Sequence, residues 1–124
     1  MEIKLTHDES LEIFHLAMCN GLGYIRGYGI TVDYNEQDFK TASNSVALHG
    51  CWEDVLLQIL IDGKPLLFVD EESEETHTIY ISDVIKKVST TDAKNLLNII
   101  NEEDDAIDSD CVLQTVIYGE VIYG

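Results

Sequence analysis

The sequence predicts an α+β fold: a small, mainly antiparallel sheet packed against several helices, in a single domain spanning residues 1–124. Three observations carry that expectation. Apolar residues recur at helical spacing in several separate segments, each opened by a capping residue. Two apolar runs, 66–69 and 76–81, flank a short polar stretch and read as a hairpin. The 45% hydrophobic content of the 124 residues suffices for one core, so the chain is not expected to be disordered despite its charge.

Thr6 and Glu9 fit a capping box. Leu11, Phe14 and Met18 follow, with Ile13, Leu16 and Ala17 widening the apolar face, and Asn20-Gly21 supplies a stop. A helix is predicted over about residues 7–20. Four glycines between Gly21 and Gly29 then predict a loop or tight turn. Ile30 to Tyr34 alternates as a strand. Asn35 caps a second helix through about Ser43, with Phe39 and Ala42 inward. Residues 51–60 form the next helix, its broad face built from Trp52, Val55, Leu56, Ile59 and Leu60, with Trp52 expected in the core. Asp62-Gly63 ends it.

Leu66 to Val69 and Thr76 to Ile81 pair across an acidic tip, and alternation puts His77, Ile79 and Ile81 on one face. Ser82-Asp83 opens a short helix to about Val88, and Thr91-Asp92 opens another to Ile100. Asp108 or Ser109 caps the last helix, with Val112, Leu113, Val116 and Ile117 inward and Gly119 at its end. The tail Val121-Ile122-Tyr123 must be buried or form an interface, as in a homo-oligomer.

Charge is the unusual property: seven Lys and Arg against 24 Asp and Glu, a net −17. This excludes direct nucleic-acid binding, which needs clustered cations, and docking to an anionic membrane leaflet. It favours a basic protein partner. The first residues carry Glu2 and Lys4 and no apolar run of signal-peptide length, and no stretch has the length of a membrane span. Cytoplasmic location is therefore expected, with Cys19, Cys51 and Cys111 reduced and serving as small core residues.

Eleven of the 24 acids fall in two clusters. Asp70, Glu71, Glu72, Glu74 and Glu75 form the hairpin tip; Glu102, Glu103, Asp104, Asp105, Asp108 and Asp110 precede the last helix. They are solvated segments or a surface for a basic partner, and the total charge favours the second. An EF-hand is excluded, because no register offers glycine at the sixth position. The glycine-rich stretch 21–29 follows a helix and leads into a strand, the reverse of a dinucleotide fingerprint. Tyr24, Arg26 and Tyr28 nevertheless give it aromatic and guanidinium groups for a small ligand.

His15 and Cys19 stand at i, i+4, and His49 and Cys51 two apart; together they could make a four-ligand zinc site. The paired C-x-x-C form is missing and His15 sits among apolar residues, so a satisfied core or boundary histidine and no metal or cofactor are expected. No nucleophile motif occurs, and the chain is expected not to be an enzyme. In size and charge alone it is similar to the small acidic accessory proteins of phages and mobile elements, some of which mimic DNA to inhibit host enzymes. That likeness implies a non-enzymatic inhibitor of a basic, nucleic-acid-handling partner, centred on the residues from Asp70 to Glu75 and from Glu102 to Asp108. The alternatives are a small-ligand domain using residues 21–29 and a homo-oligomeric structural protein.

Overall fold

In the computed structural model, residues 3–47 and 50–124 are described. Their elements are α1 (His7–Arg26), β1 (Ile30–Asp33), α2 (Glu36–Ser45), α3 (Trp52–Ile61), β2 (Leu66–Asp70), β3 (Glu75–Ile79), α4 (Ile81–Lys87) with a 3-10 turn at Val88–Thr90, α5 (Ala93–Ile100) and α6 (Ala106–Tyr118). The strands form one antiparallel sheet in the order β1-β2-β3, so the α+β class holds. Register is set by pairs such as Ile30 with Asp70 and Leu66 with Ile79.

The start of α1 is as expected. Thr6 Oγ1 accepts the Glu9 N–H at 3.1 Å, and Glu9 Oε1 accepts the Thr6 N–H at 2.9 Å. Its end is not. The helix continues through Asn20 and Gly21 to Arg26, so most of the predicted glycine loop is helical. The reason lies in the packing of α1 along α6. A Cβ on Gly21 would stand 2.9 Å from Leu113 Cδ1 and 3.2 Å from the Ser109 carbonyl carbon. Gly21 is thus a close-approach residue within a helix seam, not a terminator. Only Gly27 and Gly29 make the turn, and Gly29 has φ +88°.

α6 is the central helix. It packs on α1 and also meets α5, α4 and β3, so Val112, Leu113, Val116 and Ile117 are buried together with Ser109, Asp110, Gln114 and Thr115. Its cap lies earlier than Asp108 or Ser109. Asp105 Oδ1 accepts the N–H groups of Ile107 and Asp108 at 2.9 and 3.2 Å, and Asp108 Oδ2 accepts the Asp105 N–H at 3.0 Å. The 105–108 spacing makes the capping box. Likewise β3 stops at Ile79, because Asp83 Oδ2 holds the Tyr80 N–H at 2.9 Å and starts α4; Ile81 is helical and not on the strand face.

Three side-chain expectations also change. Trp52 is 37% exposed and donates its indole N–H to Tyr34 Oη at 3.3 Å, which satisfies the donor at the edge of the core. Leu16 is exposed rather than widening the buried face of α1. Cys19 and Cys51 are exposed and Cys111 is half-buried, all as free thiols, so they are not core residues. In the tail, Val121 and Ile122 are about half exposed, while the backbone is held by Gln114: its Oε1 accepts the N–H groups of Ile122 and Tyr123, both at 2.9 Å.

Candidate functional site

The hairpin tip is built from the alternation of β2. Leu66, Phe68 and Asp70 point inward, and all three are fully buried. Asp70 therefore does not belong to the acidic surface. Its Oδ2 accepts the hydroxyls of Tyr118 and Tyr123 at 2.5 and 2.7 Å, and its Oδ1 accepts the N–H groups of Glu72 and Ser73 at 3.0 and 3.2 Å. Burial would raise the carboxyl's pKa, but these donors prevail and hold it at about 2. Conversely, burial and the Asp70 carboxylate push the Tyr118 hydroxyl upward, and the hydrogen bond to Asp70 takes Tyr123 to about 12. Asp70 is the anchor that folds the turn; Glu71, Glu72, Glu74 and Glu75 stay exposed around it.

The second cluster divides in the same way. Glu102, Glu103 and Asp105 are exposed and Asp104 is half-buried, whereas Asp108 and Asp110 are buried. Asp108 Oδ1 accepts from Asn95 at 2.8 Å and Asn98 at 3.2 Å. Burial opposes ionisation, but hydrogen bonds from Asn95, the Asp105 N–H and Asn98 lower its pKa. Asp110 goes the other way: burial raises it despite hydrogen bonds from Gln114 at 2.7 Å and Tyr28 at 3.3 Å. Of the ten acids expected at the partner surface, Asp70 and Asp108 are thus internal.

The exposed acids of the two clusters line two separate grooves rather than one. Glu71 and Glu72 line an open groove of about 720 Å³ with Arg26, Tyr28, Gly29 and Tyr123. Glu102 lines a smaller groove of about 200 Å³ beside Glu9, Glu12, Leu16, Ile99 and Ile100. Glu12 and Arg26 lie fourteen residues apart on α1, about 21 Å along the helix axis. The smaller groove, apolar at its floor and acidic at its rim, was not anticipated. Its signal was Leu16 and Ile100, apolar positions that no other element covers.

The aromatic triplet of the glycine stretch is not a mobile loop. Tyr24 and Arg26 lie on the last turn of α1, and both are exposed. Tyr28 stacks on Tyr123 with ring centroids 5.4 Å apart, Tyr24 meets Tyr28 edge-on, and Tyr123 meets Tyr118 edge-on. The rings form a column that ends on Asp70. Burial and the neighbouring Asp110 push the Tyr28 hydroxyl up to about 12.

His15, Cys19 and Cys51 come together where α1 meets α3; the ligand-type atoms of the three lie within 4.8 Å of one another. His49 lies outside the described residues. His15 is half-buried, as a boundary histidine, and its Nε2 stands 2.6 Å from Asp54 Oδ1. Burial, then the charges of Glu53 and Asp54 and the adjacent Cys51 thiol, push Cys19 up to about 11. A thiol held so is no activated nucleophile at neutral pH. Compared with protein-family models, with the curated proteins and with the solved structures, the chain matches none.

Proposed function

We propose that the chain is a non-enzymatic interaction protein whose exposed acids engage a basic protein. The observation that carries this is the lack of internal neutralisation. Among the described residues, no lysine or arginine lies within 4 Å of a carboxylate; only two histidines come so close, His15 to Asp54 and His77 to Glu75. Eight of the ten acids read as a partner surface remain outside the core, and a fold carrying −17 with no lysine or arginine paired to a carboxylate among the described residues stores repulsion that a cationic partner relieves. The acidic rim around Leu16, Ile99 and Ile100 adds an apolar anchor of the kind that carries binding energy, with charge around it to steer approach.

The partner that suits two separate acidic grooves is a protein with an extended basic groove, such as a nucleic-acid-handling enzyme, and the chain would inhibit it by occupying that groove, as a phage or mobile-element protein would. A ligand site at Arg26 is less favoured, because Glu71 and Glu72 share its groove.

The test keeps Asp70 and Asp108 intact and neutralises the rest: Glu71, Glu72, Glu74, Glu75, Glu102 and Glu103 to Gln, Asp104 and Asp105 to Asn. The wild-type chain should retain a basic protein at low salt, release it at high salt, and release it to added duplex DNA. The neutralised chain should melt like the wild type and retain nothing. Equal retention by both chains would overturn the proposal.

A further inference from the structure

The contact between α1 and α3 carries donor atoms that the acidic surface does not use. His15 and Cys19 sit one turn apart on the same face of α1. Cys51 is the cap residue of α3, and Asp54 stands at its third helical position. His15, Cys19 and Cys51 thus converge on one point, and Asp54 stands beside it against His15. His15 presents Nε2 to it, 3.9 Å from Cys19 Sγ and 2.6 Å from Asp54 Oδ1. The atoms of His15, Cys19 and Cys51 are mutually within 4.8 Å. Asp54 is oriented by its other oxygen, since Oδ2 accepts the Cys51 N–H at 2.9 Å and leaves Oδ1 facing the imidazole.

From this arrangement we infer that His15, Cys19, Cys51 and Asp54 form a binding site for a borderline-soft divalent cation of the zinc class. Tetrahedral zinc, with bonds of about 2.3 Å to sulfur and about 2.0 Å to nitrogen, spaces its ligand atoms by about 3.5–3.8 Å. The separations among His15, Cys19 and Cys51 therefore need to close by at most about 1.3 Å, within reach of two exposed cysteine side chains, while the 2.6 Å contact between His15 Nε2 and Asp54 Oδ1 has to open for both to bind one ion. Two thiolates and an imidazole select zinc over magnesium or calcium, which require oxygen donors. The donor set comes from two helices, N-Cys from one and Cys-carboxylate from the other, and closes without a water position. That makes the site a structural clip which ties α3 to α1. Binding exchanges the two thiol protons for the metal, and His15 coordinates through Nε2 as the neutral imidazole with its ring proton on Nδ1.

The site is independent of the acidic-surface proposal, and the main competitor for zinc is that surface itself. The full-length reduced chain is loaded with zinc, dialysed against metal-free buffer, and its metal counted by native mass spectrometry. One zinc per chain is expected, with a raised melting temperature. Cobalt in its place should show a thiolate-to-metal charge-transfer band and tetrahedral ligand-field bands. The Cys19→Ser/Cys51→Ser pair, both at exposed positions, should keep the fold by circular dichroism and lose the charge-transfer band and the retained zinc. Asp54→Asn should weaken affinity at least tenfold. Zinc retained equally by the double serine variant would mean adventitious binding to surface carboxylates and would overturn the inference. So would a cobalt spectrum without sulfur character, or loss of all zinc from the wild type on dialysis.

Discussion

The glycine-rich stretch 21–29 and the acidic stretch 70–75 are two compositionally biased regions of the chain, and the fold sets them side by side. The Gly29 carbonyl accepts the Glu71 N–H at 3.0 Å, and Gly29 packs near Glu71 and Glu72. Each stretch looks uniform in sequence and is divided in structure. Gly21 is buried in a helix seam, whereas Gly23, two positions along the same helix, has nothing within 4 Å of where its Cβ would be. Asp70 is buried under four donors, whereas Glu71 beside it faces solvent. What a residue does here follows from the face it occupies, not from the composition of its neighbourhood.

Breaking the inward member of the acidic pair should have the largest effect. Asp70→Ala leaves two tyrosine hydroxyls and two backbone N–H groups without their acceptor, and should cost about 3 kcal/mol in urea denaturation. Gly21→Ala comes next. The methyl group improves helix propensity by up to about 1 kcal/mol, but it meets Leu113 and the Ser109 backbone below 3.3 Å, so a net loss of about 1 kcal/mol is expected. A seam that relaxes freely would instead show a gain.

Acid should release the buried carboxylates selectively. Asp70 has a folded pKa of about 2 against a usual 3.8, and that of Asp108 is also lowered. The stability they contribute is present above the unfolded value and is lost as pH falls from about 4 towards 2. In Asp70→Asn the loss over that window should be visibly smaller when stability is followed by fluorescence. The outward members should behave oppositely. Gly23→Ala should stabilise by about 0.5–1 kcal/mol through propensity alone. Glu71, Glu72, Glu74 and Glu75 to Gln should change stability least, by under about 0.5 kcal/mol, as a small gain at low salt that screening removes.

Part of this division was legible before the fold. Extending the period-two alternation of Leu66 and Phe68 by one step puts Asp70 on the core face, but the acidic residues that follow it hide the signal. Asp105 and Asp108 stand at capping-box spacing, which identifies Asp108 as a helix-terminal acid. Gly21 was not legible in this way. A glycine after asparagine is a good helix stop, and only the proximity of α6, some ninety residues later, makes it a seam residue. Nor was the meeting of Cys51 with His15 and Cys19, because their sequence separation spans two helices and a strand.

The α+β class, the antiparallel hairpin, the Thr6 and Asn35 caps and the net −17 can all be read from the chain before it folds, since each depends on local spacing or on a sum over residues. Which acids turn inward, where α1 ends, and which donors converge between α1 and α3 are settled by the packing of distant elements. Those outcomes depend on which helix packs against which, and that choice is made by the whole buried surface at once, through contacts that no local window of the chain contains.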